Sequence, residues 1–204
     1  MAQRPLVGGA VAVGIVAAAL RLTVPGVPDL YQGTDLWDFS LVDPDNRRPV
    51  DYRVRLQALK SRAPLSELIS SWRDGRIKQR LIERALQLRR RWPQLFARGS
   101  YTPLRATGRH QHRVVAFCRE DGDRALLVVG VRLPAPLLNE SDALRTSAEE
   151  WDDTAITLPA SFQRREWFDV MTERKCGVLQ GRIAVAQLLG DWPGALLATP
   201  VLSS

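Results

Sequence analysis

Cysteine and histidine are nearly absent from this chain: Cys118, Cys176, His110 and His112 are all it has in 204 residues. No CxxC pair exists, so neither a zinc ribbon nor a dithiol redox motif can be built. Spacing does not say whether Cys118 and Cys176 pair, and Cys118, in the run VVAFCR, reads more simply as a small buried hydrophobe. His110-Gln111-His112 brings two imidazoles close together, yet no cysteine or carboxylate cluster completes a metal site, so a loop is expected and no metal. A glycine-rich phosphate loop, a GxSxG elbow and an HExxH helix are also missing. Phosphate-loop, serine-hydrolase and zincin chemistry are thereby set aside, and no cofactor is expected. Acidic residues are unevenly spread, and none precedes Asp29.

What is present describes a globular chain. Hydrophobic residues make up 45% and charged residues 25%, the range in which a proper core can be buried. Thirteen prolines, fourteen glycines and six tryptophans fit a loop-rich fold. The net charge of +7 raises the alternative of a nucleic-acid binder. The excess is spread along the chain, however, and reads as solvated surface, so neither a nucleic-acid nor a membrane partner is expected. The apolar run LVGGAVAVGIVAAAL, after Arg4 and before Arg21, imitates a signal peptide. It is short and glycine-rich for a membrane span. A buried helix leading through Leu22-Thr23-Val24 into a strand at about 27–31 is the expectation.

Residues 25–52, PGVPDLYQGTDLWDFSLVDPDNRRPVDY, hold six aspartates, two adjacent arginines, two tyrosines and a tryptophan. Six glycines and prolines between Pro25 and Pro49 break any helical period, so an ordered loop over 32–49 is expected. Carboxylates, amides and guanidinium forks pair with hydroxyls, while aromatic faces cover the apolar side of a sugar ring. Such a loop suits a carbohydrate-binding wall.

The runs PGVPDLYQG and TDLWDFSLVDPDNRRPVDY resemble the end of the catalytic barrel in maltooligosyl trehalose synthase, a member of the α-amylase superfamily. Further likeness lies in DGRIKQRLIERALQLRRRWPQLFARGSYTPL and in WDDT. One departure is Asp35, where that superfamily more often has glutamate. The resemblance implies an α+β fragment: the last helix-strand-helix unit of a (β/α)8 barrel over 1–97, then an antiparallel β-sandwich over 98–204. It implies conversion of the reducing-end α-1,4 linkage of a maltooligosaccharide to α,α-1,1, in the cytoplasm. It also implies that the nucleophile and acid lie upstream, leaving this chain inactive alone and complemented by the missing N-terminal barrel portion. The substrate-binding candidates are Asp29, Tyr31, Gln32, Asp35, Asp43, Asp45, Asn46, Arg47 and Arg48, with Arg47 and Arg48 near acceptor subsites. Turn formation, backbone bonding or core packing could instead explain several of these. A stand-alone carbohydrate-binding or subunit module is the other alternative.

Downstream, periodicity predicts helices over Val50–Lys60, Pro64–Trp72 and Gly75–Trp92, the last capped by Asp74 and ended by Pro93. Ile77, Leu81, Ala85, Leu88 and Trp92 mark its buried stripe, with arginines on a solvated face. From Gly99 the period changes, and strands are expected at Arg113–Arg119, Arg124–Val131, Ala155–Leu158, Glu166–Val170 and Arg182–Leu189. Glu120-Asp121-Gly122-Asp123 reads as a hairpin turn.

Overall fold

A computed structural model describes residues 4–39, 47–138, 144 and 146–200. Asp43, Asp45 and Asn46 lie outside the described residues.

The N-terminal apolar run forms helix α1, Arg4–Thr23. Val11, Ala12, Ile15, Val16, Ala18, Ala19 and Leu22 are all buried, so more than one of its faces is covered. Helix α2 spans Tyr52–Lys60, where Asp51 Oδ1 accepts the N–H of Val54 at 3.1 Å; the start thus falls two residues later than expected. Helix α3, Leu65–Ser70, precedes α4, Arg76–Arg91. The predicted stripe of α4, from Ile77 to Trp92, is buried throughout. Gly75, with φ of +82°, stands at its N-terminus, and Asp74 accepts from the N–H of Arg76 at 2.9 Å. Pro93 ends α4 but also opens the short helix α5, Pro93–Arg98, because its missing N–H costs nothing in a first turn.

The expected strand at 27–31 is not one. Those residues are irregular, Val27 is 97% exposed, and they enter no ladder. A strand needs a hydrogen-bonded neighbour, and this segment has none among the described residues.

The strands are β1 Ser100–Pro103, β2 Ala106–Thr107, β3 Val114–Asp121, β4 Arg124–Val131, β5 Ala155–Thr157, β6 Trp167–Asp169, β7 Lys175–Cys176, β8 Arg182–Ala184 and β9 Gly194–Ala198. Short helices α6, Ala160–Gln163, and α7, Val185–Leu189, interrupt them. The expected strand over Arg182–Leu189 is therefore half strand and half helix: three residues pair with β5, and the rest turns Val185, Leu188 and Leu189 inward. All pairing within the sheets is antiparallel, in the orders β1-β3-β4-β9-β6-β7 and β2-β5-β8.

The six-stranded sheet is buried on both faces. Phe117, Leu126, Val128, Leu196 and Ala198 join α1 and α4 in one core. Cys118, Leu127, Val129, Ala195 and Leu197, one residue out of phase, join Ile156 of β5 and Ile183 of β8 in the other. Side chains of a strand alternate between faces, so a strand covered on both sides reads as the unbroken apolar run ALLVVGV seen in β4. No helix among the described residues is long and apolar enough to cross a membrane. Cys118 and Cys176 are both free and buried rather than joined.

Candidate functional site

The segment after α1 is held by its main chain and by a few side chains. Arg89 of α4 donates to Leu22 O at 2.8 Å and Arg119 of β3 donates to Thr23 O at 3.0 Å, closing the last turn of α1. The negative end of the helix dipole favours cations there. Arg21 donates to Asp29 O at 3.1 Å. Arg55 of α2 donates from Nη2 to Gly33 O at 2.6 Å and from Nε to Asp35 Oδ1 at 3.1 Å. The buried Gln79 of α4 donates to Asp35 Oδ2 at 2.6 Å and to Arg55 O at 3.1 Å. At the next loop residue, Lys78 donates to Leu36 O at 3.1 Å, its ammonium 5.6 Å from the Trp37 ring centre. Trp37 in turn donates from Nε1 to Trp72 O at 2.7 Å. Burial lowers the Lys78 pKa, opposed by the nearby carboxylates of Asp35 and Asp38.

The predicted site residues therefore divide. Asp35 is a brace, since both its oxygens are engaged by α2 and α4. Gln32 accepts from the Tyr52 hydroxyl at 3.2 Å, and the two sit together at the exposed rim. Tyr31 is 46% exposed, its carbonyl taken by Thr34 Oγ1 at 2.7 Å, so its ring is not core. Asp29, Arg47 and Arg48 have exposed side chains. Reading the sequence missed Arg55, Gln79, Lys78 and Trp37, the groups that fix the loop. The signal was faint: Gln79 is a polar residue adjoining the apolar stripe of α4, and such a residue, once buried, needs a partner.

Many cations on α4 are engaged, which corrects the expectation of a solvated face. Lys78 and Arg89 bond carbonyls as above, Arg80 donates to Ser61 O at 2.8 Å, and Arg76 pairs with Asp74 at 2.7 Å and Glu67 at 3.3 Å. Arg84 reaches Glu173 at 3.3 Å.

A cavity of about 1040 Å³ lies away from this loop, between α3 and the α7, β6 and β7 end of the sheet. Ser66, Asp169, Lys175, Cys176 and Trp192 are among its lining residues. Trp192 is only 3% exposed. Burial pushes the Asp169 carboxyl up, against the N–H groups of Thr172 and Met171 that bond it at 2.7 and 2.9 Å. Those bonds make Asp169 the pivot of a tight turn. Among the described residues no group of three or more potential metal ligands occurs.

Similarity to known proteins bears on the same loop and fold. No protein-family model matches the chain. A Mycobacterium tuberculosis protein named as a maltooligosyl trehalose synthase is 39% identical over 184 residues, covering 90% of this chain and 20% of the relative. The solved maltooligosyltrehalose synthase of Arthrobacter ramosus superposes with a TM-score of 0.71 at 35% identity, over 93% of this chain and 22% of that one. In sequence and in fold this chain matches the maltooligosyl trehalose synthases. It corresponds to a C-terminal portion of them and spans only 20% of the length of the curated relatives it matches. An Anoxybacillus α-amylase shares the fold more distantly, with a TM-score of 0.58 at 16% identity. The synthase relationship thus embraces both the braced loop and the antiparallel sheet beneath it.

Proposed function

We propose that residues 25–52 form the acceptor-side wall of a maltooligosyl trehalose synthase site. In this reading residues 1–97 close a (β/α)8 barrel and residues 98–204 form the β domain behind it. Barrel enzymes place their chemistry on loops at one end of the barrel. The observation that carries the reading is the bracing of this loop. Arg55 and Lys78 tie its carbonyls to α2 and α4, Gln79 holds the Asp35 carboxylate and the Trp37 indole bonds Trp72 O, while Tyr31, Gln32, Arg47 and Arg48 keep exposed surface. A wall that holds sugar hydroxyls needs such a rigid support.

The reaction is an isomerisation of the maltooligosaccharide end. The reducing-end α-1,4 bond breaks, a carboxylate holds the glycosyl group, and the released glucose attacks through its own anomeric hydroxyl. Retaining chemistry of this kind needs a nucleophile and an acid ~5 Å apart. Neither is assigned to this chain, which is therefore inactive alone. The wall's task is to keep the glucose in place while it reorients. Arg47 and Arg48, with planar five-donor guanidinium groups, suit several hydroxyl orientations. Asp29, Tyr31, Gln32, Asp43, Asp45 and Asn46 complete the candidate wall, and Asp35 supports it. Two free, buried thiols are compatible with a reducing, cytoplasmic setting.

A chimera tests this directly. The matching segment of the Mycobacterium tuberculosis relative is replaced by this chain, and products from a maltooligosaccharide are separated by chromatography. Non-reducing, trehalose-ended product is expected from the chimera and none from the 204-residue chain. A folded but inactive chimera, or turnover by the chain alone, overturns the reading.

A further inference from the structure

The cavity between α3 and the α7, β6 and β7 end of the sheet lies away from residues 25–52 and is used by nothing described above. Its lining is chemically mixed. Ile69 of α3, Met171 and Leu188 of α7 are buried and supply apolar surface. Asp169 gives one oxygen, Oδ1, to the N–H groups of Met171 and Thr172, whereas Oδ2 receives no main-chain donor among the described residues. Arg174 and Gln187 are exposed, and among the described residues neither side chain enters a hydrogen bond or ion pair. Other charges of the lining are engaged, because Lys175 pairs with Glu166 and Asp191 has a partner of its own. One carboxylate oxygen, one guanidinium and one amide are therefore left to a ligand.

We propose that this cavity binds a neutral, hydroxyl-rich ligand, a maltooligosaccharide. An anion entering it meets Asp169 and a cation meets Arg174, and like charges brought together are costly. A hydroxyl satisfies both groups, donating to the carboxylate and accepting from the guanidinium, while the Gln187 amide both donates and accepts. The C–H face of a sugar ring is then covered by Ile69, Met171 and Leu188, which adds burial of apolar area. The volume of about 1040 Å³ stands at the top of the range for small-molecule sites, roughly 300–1,000 Å³, and suits a short oligomer better than a single ring. The polyol class follows from the lining; the choice of a maltooligosaccharide rests on the function proposed above.

Methionine reads this cavity directly, because Met171 lines it and Met1 is the only other methionine in the chain. In the 204-residue chain carrying isotope-labelled methionine methyl groups, maltotetraose is expected to shift the Met171 signal saturably. Asp169→Asn keeps an oxygen for the turn but replaces the second acceptor by an N–H donor, and should weaken this binding roughly tenfold or more. Gln187→Ala, at an exposed position of α7, should weaken it several-fold and keeps the test open if Asp169→Asn does not fold. A Met171 signal unmoved by maltotetraose overturns the proposal. So does a shift whose saturation is the same in parent and both variants, and so does a shift given by inorganic phosphate but not by maltotetraose. Binding is read here without turnover, so an inactive synthase chimera sinks the proposed function and leaves this site standing. An active chimera together with an unmoved Met171 does the reverse.

Discussion

The buried guanidinium of Arg119 donates to the carbonyl oxygen of Thr23 at 3.0 Å, tying strand β3 to the last turn of helix α1. The same side chain donates to Leu95 O at 2.9 Å and to Ser100 O and Gly99 O at 3.0 Å each. It is 1% exposed, and these partners are all main-chain carbonyls, three of them at helix ends. Burial lowers its pKa, with Arg89 adding a like charge nearby, but a guanidinium keeps its proton in proteins. One residue thus joins α1, α5, β1 and β3.

Replacing it should unfold that junction. Arg119→Met leaves several buried carbonyls without donors, and a loss of roughly 3–5 kcal/mol is expected, as for other broken buried charge networks. Arg119→Lys should recover only part of this, because one ammonium cannot span four carbonyls set in different directions. Urea unfolding of both variants measures it, and a midpoint unchanged from the parent would show the junction to be dispensable.

The loop brace gives a second expectation. Asp35→Ala removes the acceptor for Arg55 and for the buried Gln79, at a cost of about 1–2 kcal/mol for a pair still partly in water. Amide hydrogen exchange should quicken chiefly across residues 32–37, with β3 and β4 unaffected. Uniform loss of protection across the chain would mean that Asp35 supports the whole fold rather than the loop.

Close packing of α1 on the sheet can be read at Gly130. A Cβ built there would lie 2.5 Å from Val16 Cγ1. Gly130→Ala should destabilise by roughly 1–3 kcal/mol through overpacking. Adding Val16→Ala should return part of the loss, and the two changes should be non-additive in a double-mutant cycle. Strict additivity would place the strain elsewhere.

Asp169 gives a pH dependence of definite sign. Its native pKa is raised above the ordinary 3.8 by burial, so the folded chain holds this proton more tightly than the unfolded one. Stability from this group is present below the ordinary value and falls as pH rises through the raised native value. Asp169→Asn keeps an acceptor for the N–H groups of Met171 and Thr172 and should flatten that fall. Denaturation midpoints at pH 4 and pH 7 test it, and an identical pH trend in parent and variant would refute it.

In the synthase chimera, arginine to lysine at positions 47 and 48 should raise the share of free glucose released more than it lowers total bond cleavage. A misplaced acceptor of about 1 Å can cost ~100-fold in the productive transfer, and water then competes. Measuring glucose against trehalose-ended product for each single variant decides this. An unchanged ratio in both would assign the arginines to holding the loop.

Elements whose signal is local were legible in the chain alone. The stripe from Ile77 to Trp92 fixed α4, the runs VVAFCR and ALLVVGV fixed β3 and β4, and PGVPDLYQG with DPDNRRPVDY carried the synthase likeness. Each depends on neighbours within a turn or a few residues, so the period is visible in the chain. Features that depend on a distant partner emerged only in the folded chain. Val27–Tyr31 has strand-like residues but no strand beside it among the described residues, and Val185–Leu189 turns into a helix that buries Leu188 and Leu189. Asp35 became a brace only when Gln79, 44 residues away, was folded against it. Arg119 met Thr23 across 96 residues. A buried polar group must find a donor or acceptor wherever the fold brings one, and composition cannot say where that will be.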